Sequence, residues 1–177
     1  GTRSLTVMAD DGAAGSGGPG SSSFGRLVMV RAGMGKALPG PEPSRRWPEV
    51  GIEVEHQLGV DIGNPHLVAF VDSVSDLDMA SIGPVIEADY PTGLNVHLVS
   101  IDDPRHLTLR VWERGAGVTE ACGSGACAAA WAANSAGFAD SIVSVDMPGG
   151  SADVELADDE IFLIGPAVEV GEVIVGG

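Results

Sequence analysis

The most constraining feature of this 177-residue chain is an alanine-rich segment, Ser124–Gly137, with the sequence SGACAAAWAANSAG. Alanine favours a helix more than any other residue, a serine near the start suits the first turn, and Gly137 suits the end. Apolar side chains cover nearly the whole circumference of this predicted helix, so it must be buried on most sides. The rest of the chain therefore has to fold around it.

Short strand-like segments precede and follow the predicted helix. They are Arg26–Arg31, Ile52–Val60, His66–Asp72, Leu94–Ile101, Leu107–Glu113, Ile142–Met147, Ala152–Leu156, Glu160–Ile164 and Val168–Val175. A second, shorter helix is expected within Ser75–Ala88, where Pro84 is placed to interrupt it. Short strands around one buried helix predict an α+β fold, with mainly antiparallel strands wrapped around a central helix.

The chain shows no internal repeat and no compositional boundary, which predicts a single domain over residues 1–177. Residues 1–49 are expected to form a junction region, in which the glycine- and serine-rich run Gly12–Ser23 is a flexible loop. Residues 50–177 form the predicted core. The chain has no initiator methionine, and we expect the natural polypeptide to be longer.

The formal net charge of −16, with a single lysine, disfavours binding to nucleic acid or to anionic membrane surfaces. Apolar runs fall short of the roughly 20 residues that span a bilayer. The two cysteines, Cys122 and Cys127, would point apart on a helical segment, which disfavours a disulfide between them. These observations favour a reduced, cytoplasmic protein without nucleic-acid or membrane partners.

The segment Glu113–Cys127, ERGAGVTEACGSGAC, carries the strongest chemical signal. Cys122 directly precedes the predicted helix, whose positive end should lower the pKa of the thiol and favour the thiolate. The free amides of Gly123 and Ser124 form an anion site suited to a carboxylate. This geometry permits either proton abstraction or nucleophilic attack.

The second cysteine, Cys127, lies inside the alanine-rich helix and is interpreted as a small core residue. The C-x₄-C spacing of the two cysteines is poor for zinc, so no metal is predicted.

Two further polar segments are ambiguous by themselves. Gly63-Asn64-Pro65-His66 lies between two predicted strands, where Asn-Pro is common turn sequence and the histidine could be incidental. Asn95 lies at or within a predicted strand, which asparagine disfavours.

Taken together, these segments resemble the diaminopimelate epimerase family. The resemblance extends over roughly residues 50–170 and is carried by GNPH, LNV, ERGAGVTEACGSGACAA and MPGG, in the family's order and spacing. The weaker segment VRAGMGK, Val30–Lys36, is similar to a family strand that ends in a Met-Gly pair. The resemblance implies a diaminopimelate-epimerase-like domain, the second of two in the family's enzyme.

The resemblance also implies a reaction without pyridoxal phosphate or metal, which converts LL-diaminopimelate to meso-diaminopimelate for lysine and peptidoglycan synthesis. Two cysteines face the α-carbon from opposite sides, one as a base and the other as an acid. By position, Cys122 matches one of these cysteines, with Glu113 and His66 also near the reaction centre. The implied substrate-binding residues are Asn64, Asn95, Glu113, Arg114, Gly123 and Ser124. The family also suggests a homodimer.

The chain departs from the family pattern in two respects. The family's first catalytic cysteine belongs to the preceding domain, and no matching motif is found here, so we expect the isolated chain to be inactive. Val118 stands where the family typically has glutamate. Three alternatives stay open: a proline or hydroxyproline racemase, a cysteine hydrolase that uses His66 as partner, and a non-catalytic half-domain that binds an amino acid.

Overall fold

The computed structural model describes residues 4–8 and 26–169, and within them eleven strands and two α-helices. The strands are β1 (Leu5–Met8), β2 (Arg26–Gly35), β3 (Leu38–Pro39), β4 (His56–Asp61), β5 (Pro65–Phe70), β6 (Asn95–Asp103), β7 (His106–Glu113), β8 (Gly117–Thr119), β9 (Ile142–Met147), β10 (Gly150–Leu156) and β11 (Ile161–Glu169). The helices are α1 (Met79–Glu87) and α2 (Gly123–Ser135), and a 3₁₀ turn spans Trp47–Val50.

The described strands form one sheet in the order β1-β2-β11-β10-β9-β7-β6-β5-β4-β3, with β8 paired to β7 beside this path. Neighbouring strands are antiparallel except for β5–β6 and β7–β9, which are parallel. A parallel pair needs a long crossover connection, which usually contains a helix. The two helices of the described chain lie in these two crossovers, α1 between β5 and β6 and α2 between β7 and β9.

Helix α2 is enclosed by the curved sheet, as its alanine-rich sequence predicts. It contacts β4, β5, β6, β7, β9, β10 and β11. Its fully buried residues are Ala126, Cys127, Ala128, Ala129, Ala130, Ala132 and Ala133. Because these side chains are small, strands can approach the helix from several directions. The predicted α+β fold, with mainly antiparallel strands around a buried helix, is therefore confirmed.

Helix α1 packs against β6, β7 and β8 and contributes to a second core. Alternate residues of β5 point to opposite sides of the sheet: Val68 and Phe70 join the core around α2, whereas Leu67 and Ala69 join the core beneath α1. Both faces of β5 are thus buried. The strand begins at Pro65, within the GNPH segment.

Pro84 does not interrupt α1, contrary to the sequence expectation. The helix continues through it, and the amide of Ala88 donates to the Pro84 carbonyl at 3.2 Å. Proline cannot donate to the carbonyl of Ala80, four residues earlier, but Ala80 is exposed and water can reach it. The helix therefore tolerates the lost bond.

Two of the predicted strands differ from the observed ones. Glu160–Ile164 and the start of Val168–Val175 form one strand, β11, which pairs with β2 through Pro166. Its other neighbour, β10, pairs only as far as Ile164, so fewer ladder bonds are lost at the proline. The strand predicted at Ile52 begins at His56. The predicted loop Gly12–Ser23 lies outside the described residues, and no helix within them is long and apolar enough to cross a membrane.

Candidate active site

Cys122 occupies the N-cap position of α2, directly before the first helical residue Gly123. Its backbone is extended, with φ −143° and ψ 103°, and the amide of Gly125 donates to its Sγ atom at 3.3 Å. The Ser124 hydroxyl lies 3.5 Å from the same sulfur, and the Cys122 amide contacts Met147 Sδ at 3.4 Å. The thiol is therefore held by the first turn of the helix, as an oxygen cap would be.

The pKa of the Cys122 thiol is raised, not lowered as the sequence analysis expected. Burial is the largest cause, because it disfavours the thiolate. Hydrogen bonds from Ser124 and Gly125 act in the opposite direction, while the nearby Glu113 carboxylate raises the pKa of the thiol further. Burial and this neighbouring carboxylate together outweigh the hydrogen bonds from Ser124 and Gly125, so the described chain favours the protonated thiol.

Glu113 is brought to the thiol by the turn between β7 and β8. It is the last residue of β7, and Gly115 and Gly117 make the turn with φ values of 80° and 82°, which only glycine adopts readily. The Thr119 hydroxyl on β8 donates to Glu113 Oε1 at 2.5 Å and orients the carboxylate. The Glu113 carboxylate is thus held near the start of α2.

Asn95 joins the two segments that the sequence analysis treated separately. Its Nδ2 donates to the Pro65 carbonyl at 3.0 Å, and its Oδ1 accepts from the Arg114 amide at 3.1 Å. Asn95 is buried at the start of β6, directly opposite His66 in the parallel pairing with β5. The GNPH segment and the ERG segment therefore meet through one side chain. Each of its polar groups keeps capacity for a second hydrogen bond.

His66 is fully buried, and its Nδ1 lies 2.7 Å from Nε2 of a second buried histidine, His97. Burial lowers the pKa of His66 to about 4, against the opposing charges of Asp61 and Glu113. Burial and the neighbouring His66 hold the pKa of His97 well below its ordinary value. The sequence analysis missed His97, although it lies two residues after Asn95 and therefore points to the same face of β6.

The remaining predicted residues differ in how far they are exposed. Gly123 and Ser124 are half-buried in the first turn of α2, and Asn64 is half-buried in the turn before β5. Arg114 is exposed, and its Nη1 donates to the Thr92 carbonyl at 3.3 Å, which leaves other guanidinium donors available at the rim. The structure thus brings Cys122, Gly123 and Ser124 together at the start of α2 with Glu113 nearby, and Asn95 links the GNPH segment to the Arg114 backbone.

A cavity of about 400 Å³ reaches this region from the side of β2, β10 and β11. It is bounded by Gly123, Met147 and Leu163, among others, and does not include Cys122 or Glu113. A larger cavity of about 570 Å³, around Trp47 and Gln57, lies away from the thiol and the histidines. Among the described residues, no group of three or more His, Cys, Asp or Glu is arranged to hold a metal ion.

Comparison with known proteins decides the family. The model of the diaminopimelate epimerase family matches residues 59–170, which include the site residues described above. This chain belongs to the diaminopimelate epimerase family. Residues 59–170 are more than half of the chain, and the chemical segments follow one another in the family's order.

Curated diaminopimelate epimerases are similar in sequence to this chain over most of its length. The protein of Sphingopyxis alaskensis is 44% identical over 133 residues, which cover 73% of this chain and 50% of that protein. The protein of Stutzerimonas stutzeri is 41% identical over 156 residues, covering 82% of this chain and 56% of that protein. The chain therefore spans about half the length of the curated relatives it matches.

A solved structure described as a predicted epimerase from Pseudomonas aeruginosa has the same fold. The TM-score is 0.62 at 18% sequence identity, and the alignment covers 96% of this chain and 64% of that one. At this identity the likeness concerns the fold alone.

Val118, where the diaminopimelate epimerase family typically has glutamate, lies on the outer side of the site. It pairs with Trp112 in the β7–β8 ladder and is 55% exposed. Its neighbour Thr119 still donates to Glu113. The valine therefore leaves the hydrogen bond that orients the Glu113 carboxylate intact.

Proposed function

We propose that this chain is one half of a cofactor-independent epimerase that converts LL-diaminopimelate to meso-diaminopimelate. The observation that carries the proposal is the Cys122 thiol, which caps α2 and whose protonated form is favoured by burial and by the nearby Glu113 carboxylate. The chain would supply one of two thiols and most of the groups that bind the substrate. The other thiol would belong to the half of the relatives' length that this chain does not span.

In this mechanism the two thiols move one proton each. A thiolate on one face takes the α-proton, and the electron pair of the Cα–H bond remains as a carbanion stabilised by the carboxylate. The thiol on the opposite face then delivers its proton to Cα and becomes the thiolate. Because burial and Glu113 favour the protonated form of Cys122, this residue would enter the reaction as the acid. The roles would reverse for the opposite direction.

The start of α2 is suited to hold the carboxylate next to the reacting carbon. The Gly125 amide donates to Cys122 Sγ and the Ala126 amide to the Cys122 carbonyl. Among the described residues, this leaves Gly123 and Ser124 as the first-turn amides for a ligand. Amides fixed by a buried helix can stabilise the developing negative charge without reorganising.

The distal end of the substrate would be bound by Asn64, by the buried Asn95 and by Arg114 at the rim. Arg114 is exposed and rests across Gly93, where its stem is close enough to exclude a side chain on that glycine. A guanidinium there can take a carboxylate through two parallel hydrogen bonds. We expect Arg114→Ala to raise KM about tenfold or more with a smaller change in kcat, since it would remove binding remote from the reacting carbon.

The test is exchange of the α-proton of diaminopimelate in deuterated water, followed by NMR, in a polypeptide that restores the missing half. Cys122→Ala should abolish exchange and epimerisation. Cys127→Ala is the matched control: its side chain is fully buried in the core around α2, and exchange should persist. The 177-residue chain alone should not epimerise.

Each outcome of this experiment has a distinct meaning. Exchange that survives in Cys122→Ala would refute the role of this thiol. Binding of diaminopimelate without exchange in the restored polypeptide would replace the epimerase with an amino-acid-binding protein. Exchange of proline or hydroxyproline, but not of diaminopimelate, would shift the proposal to a racemase of that class.

A further inference from the structure

The two buried histidines are the part of this region that the proposed mechanism leaves without a role. His66 on β5 and His97 on β6 are both fully buried, with ring centroids 5.0 Å apart. Their one hydrogen bond joins His66 Nδ1 to His97 Nε2 at 2.7 Å. Within the described chain, His66 Nε2 and His97 Nδ1 have no hydrogen-bond partner. A buried nitrogen without a partner is costly, so each outer nitrogen requires an explanation.

His97 lies directly against the first turn of α2. A Cβ atom on Gly125 would be 2.5 Å from His97 Cε1, 3.1 Å from His97 Nδ1 and 3.2 Å from Cys122 Sγ. The imidazole can approach the helix this closely only because residue 125 is glycine. His97 thus lies between the start of α2 on one side and His66 on the other.

We propose that His97 is a positioning residue that donates its Nε2–H to His66 Nδ1 and so fixes His66 as the neutral tautomer with the proton on Nε2. His66 then presents an N–H group as a hydrogen-bond donor for an anionic group of the ligand or of the reaction centre. The assignment of that anion to the epimerase reaction rests on the proposed function, whereas the tautomer itself does not.

The surrounding charges favour this tautomer over its alternative. Each neutral imidazole carries one proton. The direction of the shared hydrogen bond therefore decides which of the two outer nitrogens, His66 Nε2 or His97 Nδ1, is protonated. If His97 donates, His97 Nδ1 carries a lone pair facing the positive end of α2, which that end stabilises. His66 Nε2 then carries the proton, in the field of the Asp61 and Glu113 carboxylates. The reverse arrangement would place an N–H against the helix terminus and a lone pair near the carboxylates.

Because both imidazoles are neutral, His66 is suited to donate a hydrogen bond and is not suited to act as a general acid. Burial keeps both imidazoles neutral at ordinary pH, so neither ring carries a spare proton to give away. A neutral Nε2–H can bind a thiolate or a carboxylate oxygen without titrating. His66 would therefore stabilise negative charge through this hydrogen bond, with the orientation of the donor set by His97.

Nitrogen-15 NMR of histidine-labelled chain tests the proposal, because protonated and unprotonated ring nitrogens have widely separated shifts. In the wild-type chain we expect His66 to be protonated at Nε2 and unprotonated at Nδ1. His97→Leu removes the donor, and His66 should then populate both tautomers. His97→Gln, whose side-chain amide can donate from a similar position, should restore the wild-type pattern.

Two results would overturn the proposal: a wild-type His66 protonated at Nδ1, or a single Nε2–H tautomer retained in His97→Leu. If the leucine variant does not fold, the wild-type and glutamine spectra decide alone. In the polypeptide with both halves, His97→Leu should lower kcat about tenfold, with recovery in His97→Gln. Absence of any epimerase activity would contradict the proposed function while leaving the tautomer result valid.

Discussion

Substitution of Gly125 by alanine tests the packing between the start of α2 and the buried histidine. The new Cβ would lie 2.5 Å from His97 Cε1, roughly an ångström closer than an ordinary contact. His97 has little room to move, because it is fully buried and hydrogen-bonded to His66. Either the imidazole or the first turn of the helix must shift.

The expected change in the free energy of unfolding follows from two opposing effects. Overpacking a close-packed core costs about 1–3 kcal/mol, and the 2.5 Å approach to a buried ring places this substitution in the upper part of that range, about 2–3 kcal/mol. Alanine is favoured over glycine in a helix by up to about 1 kcal/mol. The net result should be a loss of about 1–2 kcal/mol, which corresponds to a decrease of about 0.5–1 M in the urea midpoint for a slope of about 2 kcal/mol/M.

Urea unfolding of the wild-type chain and of Gly125→Ala, monitored by tryptophan fluorescence, measures this loss. Gly123→Ala is a matched control in the same helical turn, since its Cβ would meet only the end of the Leu163 side chain, which can rotate. We expect the control to change the midpoint little. An unchanged or raised midpoint in Gly125→Ala would show that His97 is not held as tightly as the argument requires.

Three further predictions concern the cap, the proline and acid stability. Cys122→Ser should keep or raise thermal stability, since serine is a preferred N-cap, yet abolish exchange in the restored polypeptide; a loss of several degrees in Tm would contradict the capping role. Pro84→Ala should raise stability to urea by about 1 kcal/mol or more, because the new amide can donate to Ala80; no gain would mean that the helix is already strained elsewhere. The pKa of His66 is about 4 in the folded chain and 6.5 when unfolded, so the unfolded state binds more protons between these values. Stability should therefore fall by on the order of 3 kcal/mol from pH 6.5 to 4, and His66→Gln should flatten this dependence in acid titrations of unfolding.

Much of the fold could be predicted because its signals are local. The alanine content of α2 predicts both the helix and its burial, and the alternation in β6 and β7 predicts two strands. Each of these signals is read from the segment itself, without knowing which other element it packs against. The thiol–glycine segment likewise predicts a chemical site, because the positions of Cys122, Gly123 and Ser124 relative to the helix follow from their order in the chain.

Elements that depend on neighbours could not be predicted in the same way. Pro84 is tolerated because Ala80 is exposed, and β11 passes through Pro166 because its pairing with β10 stops at Ile164. Exposure and the extent of pairing with a neighbouring strand are properties of the assembled sheet. Local propensity therefore indicated breaks at both prolines where the structure has none.

The sequence by itself determined the α+β class, the buried helix and the identity of the candidate thiol. Only the tertiary structure decided the protonation of that thiol and the existence of the histidine pair. The raised pKa of Cys122 reflects burial and the Glu113 carboxylate, which arrives from another strand. His97 reaches His66 because β5 and β6 pair in parallel. A pKa and a hydrogen bond both depend on distances between residues far apart in the chain, and those distances exist only once the sheet has closed around α2.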